Sequence, residues 1–211
     1  MATQNAFVFS PEINSNAIAS ETIDYDFPDN LKKWNGIALV GEAPGAEEVR
    51  LKHPFVGRSG QLLDKILERA KIDRRQCLVA NVFRQQPPGN KVDHFFISRR
   101  ASKESNLPID ESLGQFGSLW CRLNFASEIA HLSATLKKVK PKIIVALGRT
   151  PLWALTGMNG LLDKVGTPLS CRLMPSVFVI PTYHPSFILR GNWGLQDKWL
   201  EHFSQAKDYP L

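Results

Sequence analysis

Residue types that can bind and transform a flat polar ring occur together in three short segments of the 211-residue sequence. The first segment, residues 41–63, begins GEAPG and ends PFVGRSGQLL; the second, residues 81–90, begins with Asn81 and ends PPGN; the third, residues 182–186, reads TYHPS. Carboxylate and imidazole groups can transfer protons, an amide both donates and accepts hydrogen bonds, and an aromatic ring stacks on a planar ligand. A common pocket for the three segments would therefore suit chemistry on such a ring.

The elements that would position these segments are predicted from hydrophobic patterning. Four apolar, β-rich runs are continuous rather than alternating, as expected for strands buried on both faces, and they span residues 36–40, 77–82, 142–147 and 177–180. Helical patterns lie between and after them, at residues 59–71 with Ser59 as the cap, at about 119–138, after Arg149 as far as Gly157, and at about 194–207. The alternation predicts an α/β fold, a three-layer α/β/α sandwich around a central four-stranded parallel sheet.

The three motif segments each follow a predicted strand. In a parallel sheet the carboxyl ends of the strands meet at one edge, where open α/β folds bind their ligands. We therefore expect one mouth to hold all the candidate residues.

The chain is long enough for one domain with one substantial core. Residues 1–33 show no sustained period and are interpreted as an N-terminal arm, followed by a single domain at 34–211. Residues 92–117 are rich in Ser, Arg and Lys, and we interpret them as an insertion at or beside the mouth. We expect the protein to be a monomer.

The charge balance favours a polyanionic partner. The sequence has 26 Lys and Arg against 20 Asp and Glu, a net charge of +6, and such an excess promotes binding to phosphates, although a merely basic protein would show it too. No apolar run approaches the length of a membrane span, and the polar first residues are unlike a secretory signal. We expect no membrane partner and a cytoplasmic, nucleoid-associated protein.

The three motifs, in this order and each at a strand end, resemble those of family-four uracil-DNA glycosylases. GEAPG with PFVGRSGQLL resembles the family's first motif, Asn81 with PPGN resembles its strand-end Asn and following loop, and HPS resembles its second motif. The resemblance extends from about Trp34 to the C-terminus and leaves out the arm and residues 92–117. It implies a monofunctional enzyme that hydrolyses the N-glycosidic bond of uracil in DNA by base flipping and leaves an abasic site for base excision repair.

Chemistry on a base requires a pocket that stacks on its face and reads its edge. Phe55 suits the stacking and Asn81 the reading, since its amide can accept from N3–H and donate to a carbonyl of uracil, whereas cytosine presents the wrong pattern. Gly41 permits close approach of the backbone. The alternatives are a core aromatic for Phe55 and a turn residue for Asn81.

The remaining roles concern thymine exclusion and bond cleavage. The resemblance places Glu48 beside C5 of the base, where it would block a methyl group, and implies that His184 donates a hydrogen bond to the developing uracil anion. An exposed helix-start charge and a structural histidine are the respective alternatives. Ala43 stands where the best-known uracil glycosylases have the water-activating Asp, so Glu42 is the candidate to position water, or else only orders the loop.

Contacts with the DNA backbone should come from hydroxyl and basic groups near the mouth. An apolar wedge of residues 187–189 would fill the gap left by the flipped nucleotide, with core packing as the alternative. The DNA-binding candidates are Arg58, Ser59, Ser186, Leu189 and Arg190.

The sequence departs from the family at its iron–sulfur site. Family-four enzymes carry four cluster-binding cysteines, but the N-terminal pair is absent here, Gln85 stands at the third position, and Cys121 is a candidate remnant of the fourth. One thiolate cannot hold a cluster, so we predict no metal and no cofactor. The arm or residues 92–117 would then have to replace the cluster as a structural link.

Three other functions remain open. The Ala43 position and the missing cysteines fit a DNA-binding member of the superfamily with weak or no catalysis, such as one serving a virus. A related branch links covalently to DNA through a histidine in a basic loop, and His94 followed by Ser98-Arg-Arg lies in a comparable place. The third alternative is another pyrimidine lesion as substrate.

Overall fold

The computed structural model describes residues 21–210 of the chain. Its strands are β1 (Ile37–Gly41), β2 (Leu78–Asn81), β3 (Phe96–Ile97), β4 (Gln115–Phe116), β5 (Leu119–Cys121), β6 (Ile143–Leu147), β7 (Leu169–Ser170) and β8 (Phe178–Thr182). Its α-helices are α1 (Ala46–Leu51), α2 (Arg58–Arg69), α3 (Arg99–Ser105), α4 (Ala126–Val139), α5 (Arg149–Thr156), α6 (Pro185–Leu189) and α7 (Gln196–Lys207). Of the predicted N-terminal arm, residues 1–20 lie outside the described residues.

The four predicted strands form the central sheet, in the order β2-β1-β6-β8, and all of their pairings are parallel. The prediction of a four-stranded parallel sheet is confirmed, with one addition: the short β7 pairs antiparallel with β8 at the edge. The register sets Gly41 opposite Asn81, and Leu147 opposite Thr182. The carboxyl ends of the four strands therefore lie along one edge.

Both faces of the sheet are buried, which explains why its strands are apolar throughout. Along β1, Ala38 and Val40 face the core shared with α4 and α5, whereas Ile37 and Leu39 face the core shared with α2 and α7. Side chains alternate between faces along a strand, so a strand covered on both sides must be apolar at every position. The predicted α/β/α sandwich is confirmed.

The helix predictions differ from the structure at two N-terminal ends. Residues 119–121 form strand β5, and the helix predicted from about 119 begins only at Ala126. The helix predicted from residue 59 begins at Arg58 with Gly57 at its N-cap, so Ser59 lies in the first turn and does not cap it. The helix after Arg149 does end at Gly157, where a φ of 76° favours glycine.

Residues 92–117 fold into the body of the protein. They supply β3, α3 and β4, and β3 and β4 flank β5 in a small antiparallel sheet. Two ring pairs join this segment to the main core: Phe95 stacks on Phe83 with ring centroids 3.9 Å apart, and Phe96 packs edge-on against Trp153 at 5.1 Å. Strands of two or three residues leave no hydrophobic period, so the sequence did not reveal them.

The segment at residues 22–26 lies along the free edge of the central sheet. Asp26 exchanges backbone hydrogen bonds with Val79 of β2, and Ile23 N–H donates to the carbonyl of Arg84. Arg84 in turn donates from its backbone and its guanidinium to the Glu128 carboxylate of α4, at 2.9–3.2 Å. Among residues 21–210, no helix is long and apolar enough to cross a membrane.

The Arg84–Glu128 pair provides a stability test. The Glu128 side chain is 8% exposed and that of Arg84 is 19% exposed. Glu128→Ala therefore leaves a backbone N–H without its acceptor, and it leaves a largely buried cation with only the exposed Asp24, 3.6 Å away. We expect a loss of about 3 kcal/mol, seen as a fall in Tm of roughly 6–12 °C. Glu104→Ala removes an exposed partner of Arg100 and should cost at most about 0.5 kcal/mol; equal losses in the two variants would contradict the prediction.

Candidate active site

A cavity of about 800 Å³ opens at the carboxyl ends of the parallel strands. It is lined by residues that follow β1, β2, β6 and β8, together with the 160–163 loop. The predicted site residues in its lining are Glu42, Ala43, Glu48, Phe55, Ser59, Asn81, His184, Ser186 and Arg190. The three motif segments thus share one mouth.

Phe55 is held in an unusual backbone conformation. Its φ is +54°, a region that non-glycine residues rarely adopt, and its side chain is nevertheless buried. The α2 backbone can lie against it only because residue 60 is glycine: a Cβ there would be 1.8 Å from the Phe55 carbonyl oxygen. The strained turn aims the aromatic ring into the cavity.

Arg74 fixes the same turn from outside the cavity. Its guanidinium donates to the carbonyl of Phe55 at 2.9 Å, to that of Pro54 at 2.6 Å, and to the Asp64 carboxylate at 2.7 Å. These three acceptors cannot be inferred from sequence spacing. Arg74 is therefore a positioning residue that the sequence analysis missed.

Glu48 joins the two halves of the first motif. One carboxylate oxygen accepts from the N–H of Gly45 at 3.0 Å, and the other accepts from the N–H groups of Val56 at 3.0 Å and Gly57 at 2.9 Å. Glu48 is thus neither an exposed nor an uncommitted charge, and its side chain has one fixed orientation at the cavity wall. Its predicted role in excluding thymine remains a prediction.

The side chains of Asn81 and Phe55 both lie against Gly41. A Cβ at residue 41 would be 2.3 Å from the Phe55 ring and 2.5 Å from Oδ1 of Asn81, so only glycine permits this arrangement. Asn81 is 5% exposed, and its Oδ1 has no hydrogen-bond partner within the described residues. A buried acceptor without a partner is costly, so Oδ1 of Asn81 is suited to accept a hydrogen bond from a ligand in the cavity.

His184 has a defined tautomer. The backbone N–H of Ser186 donates to Nδ1 at 3.1 Å, the Ser186 hydroxyl lies 2.8 Å from the same nitrogen, and Arg190 donates to that hydroxyl at 3.1 Å. Because Nδ1 accepts, the neutral ring carries its proton on Nε2. Burial, assisted by the charge of Arg190, lowers the pKa of His184 from 6.5 to about 4. The ring centroid lies 6.1 Å from that of Phe55.

Glu42, in the cavity lining, is held by a side-chain hydroxyl. Thr150, fully buried in the first turn of α5, donates its hydroxyl to Oε2 of Glu42 at 2.5 Å. Burial raises the pKa of Glu42, while the Thr150 hydrogen bond and the charge of Arg149 oppose that rise. A carboxylate with a raised pKa is suited to accept a proton near neutral pH. Thr150 and Arg149 follow Gly148, the residue of interest that the sequence analysis placed after β6, but the sequence analysis gave neither of them a role in the site.

Two predicted DNA contacts lie outside this cavity. Arg58 and Leu189 line a second, neighbouring cavity instead. Of the predicted wedge, Ile188 is fully buried in the core and cannot insert into DNA, whereas Phe187 lines the active-site cavity. His94, the residue of the covalent alternative, does not line the cavity, and its ring packs against Phe95 and Phe125.

Residues 28–206 match the family model of the uracil DNA glycosylase superfamily. The chain belongs to this superfamily. It is 32% identical to a type-4 uracil-DNA glycosylase of Thermotoga maritima over 82% of this chain and 77% of that protein. It is 31% identical to a type-4 uracil-DNA glycosylase of Pyrobaculum aerophilum over 74% of this chain and 68% of that protein.

The residues of this superfamily member do not fit the four-thiolate cluster that its resemblance to family-four enzymes implies. Its three cysteines are Cys77, Cys121 and Cys171, and all three are buried. Burial raises the pKa of Cys77 to about 11, that of Cys121 to about 12, and that of Cys171 as well, so these thiols stay protonated. Within residues 21–210, no three Cys, His, Asp or Glu side chains form a possible metal site.

The state of His184 can be measured directly. We expect long-range ¹H–¹⁵N spectra to show a neutral Nε2–H ring from pH 8 down to a midpoint near pH 4, with the signals assigned by their loss in His184→Gln. Because the folded-state pKa lies below 6.5, the unfolded chain takes up this proton first, so the contribution of His184 to the free energy of unfolding falls as pH falls from 6.5 towards 4. A midpoint at or above 6.5, or a proton on Nδ1, would contradict the assignment.

Proposed function

We propose that this chain hydrolyses the N-glycosidic bond of uracil in DNA after the uracil has left the helix, and that it leaves an abasic site without cutting the backbone. The observation that carries the proposal is the convergence of Phe55, Asn81 and His184 on one cavity. Membership of the uracil DNA glycosylase superfamily and the two type-4 relatives support the same activity.

Recognition of the base follows from Phe55 and Asn81. The flipped uracil stacks on the Phe55 ring, and the unpartnered Oδ1 of Asn81 accepts from N3–H while its amide N–H₂ donates to O4. Cytosine carries an acceptor at N3 and a donor at position 4, so it would leave both groups of the buried amide unpaired. Selectivity against cytosine is therefore a hydrogen-bonding effect.

Exclusion of thymine is steric. Glu48 lines the cavity with both carboxylate oxygens occupied by backbone N–H groups. A side chain fixed in this way cannot move aside for a methyl group at C5. The same bonds keep the loop around Phe55 in place.

Bond cleavage transfers negative charge to the base. The C1′–N1 bond breaks with its electron pair on uracil, and the charge spreads to O2, where Nε2–H of the neutral His184 donates a hydrogen bond. The low pKa of this imidazole means that it stabilises the anion without a prior protonation. The sugar is left as an oxocarbenium-like cation.

Water then adds to C1′. Glu42 orients the water and accepts its proton as the C1′–O bond forms, and the hydroxyl of Thr150 keeps the carboxylate oriented. Ala43 has no side-chain group for this step. Ser59 and Arg190, in the lining of the cavity, hold the neighbouring phosphates. Ser186, predicted as a further DNA contact, uses its N–H and its hydroxyl on Nδ1 of His184 and positions that ring instead.

The activity is tested with a uracil-containing oligonucleotide, which should give strand breaks after incubation and alkali. His184→Ala should lower kcat by about 10²–10³ because one donor to the developing oxyanion is lost. His131→Ala, at an exposed histidine outside the cavity lining, should retain wild-type release. Equal survival of matched uracil and thymine oligonucleotides would refute the proposal, and tight DNA binding without release would indicate the DNA-binding alternative.

The pH profile tests Glu42. The Thr150 hydrogen bond lowers the pKa of Glu42, so Thr150→Val should raise that pKa and move the acidic limb of kcat/KM to higher pH. Thr150→Ser keeps the hydroxyl and should retain the wild-type limb, and Glu42→Gln should remove the limb together with most of the activity. An unchanged limb in Thr150→Val would show that Glu42 is not the group that titrates.

A further inference from the structure

A second cavity, of about 340 Å³, lies beside the active-site cavity between α2 and the α6–α7 region, and we call it the side groove. Arg58 and Leu189 both line it, and their sequence neighbours Ser59 and Arg190 line the active-site cavity. The two cavities are therefore adjacent along two separate chain segments. From Arg58 the side groove follows α2 as far as Arg69.

The side groove is positively charged. Arg58, Lys65 and Arg69 line it, and no carboxylate does so among the residues that the structure describes. Arg69 pairs with Asp197 at 3.0 Å, but neither Arg58 nor Lys65 has an ion-pair partner in that part of the chain. Positively charged side chains that line a cavity and have no acidic partners favour the binding of a phosphate-bearing ligand.

The side groove also has an aromatic wall. Trp193 is 49% exposed, so about half of its surface is open to a ligand. Trp199, also in the lining, is 0% exposed, so it supports the groove from the core and its ring is not open to a ligand. Stacking surfaces combined with cations are typical of single-stranded nucleic-acid sites.

We propose that the side groove binds a nucleotide that flanks the target uridine on the same DNA strand. The base of this nucleotide stacks on Trp193, and its phosphate lies between Arg58 and Lys65. The inference rests on the proposed function for the identity of the strand. The side groove adjoins the active-site cavity at Arg58 and Leu189. Its occupant is therefore the DNA strand that carries the target uridine.

Binding is measured first, with a uracil-free single-stranded oligothymidylate and fluorescence anisotropy, so that the result does not depend on catalysis. Trp193→Ala should weaken binding about tenfold, and Lys65→Ala should lower the slope of log affinity against log salt by about 1. The matched controls are Phe27→Ala, at an aromatic residue that is 50% exposed elsewhere, and Lys103→Ala on the exposed surface of α3. Both controls should bind as the wild type does.

Substrate length is the second readout. Wild type should show a higher kcat/KM for uracil oligonucleotides with a long flank on one side than for those with that flank removed, and Trp193→Ala should abolish the difference. Unchanged binding and unchanged length dependence in Trp193→Ala and Lys65→Ala would overturn the side-groove proposal even if uracil is released. Equal competition by thymidine monophosphate would also overturn it, since that result identifies a free-nucleotide site. Altered binding without any uracil release would instead refute the proposed function and leave the groove as a DNA site.

Discussion

The aromatic ring of Phe55 occupies the space into which a side chain at residue 41 would project, and the amide oxygen of Asn81 closes that space from the neighbouring strand. This three-way approach depends on the parallel register that sets Gly41 opposite Asn81. It also depends on the turn at Phe55, which has a positive φ and whose carbonyl lies so close to residue 60 that only glycine fits there. The part of the cavity that contacts the base is thus shaped by the packing of two adjacent strands against one strained turn.

Sequence patterning predicted the parallel sheet and the edge that holds the site, because strands covered on both faces are apolar throughout and parallel strands end together. It did not predict β3, β4 and β5, which are too short to show a period, and it placed the start of the following helix at about residue 119 rather than at Ala126. It also missed Arg74 and Thr150, whose partners are a backbone turn and a glutamate 108 residues away. Contacts between distant residues of different elements leave no local spacing to recognise.

Packing stabilises the chain around Gln85, the position that the resemblance to family-four enzymes assigns to a cluster-binding cysteine. The backbone of residues 22–26 pairs with the free edge of β2, and Arg84 joins that edge to α4 through Glu128. Stacked rings of Phe83 and Phe95 fill the adjoining core. Aromatic packing and a buried ion pair are available in any redox state, whereas a cluster depends on iron supply and on reduced thiolates.

Glu48 has a consequence for the dynamics of binding. A carboxylate that accepts from three backbone amides across residues 45–57 makes the helix start and the aromatic turn one rigid unit. The entropy of ordering this loop is then lost during folding, when the core forms, rather than at each encounter with ligand. The binding site is therefore preformed when a flipped base enters it. The free-energy cost of the conformational change on binding then falls on the nucleic acid and not on the protein.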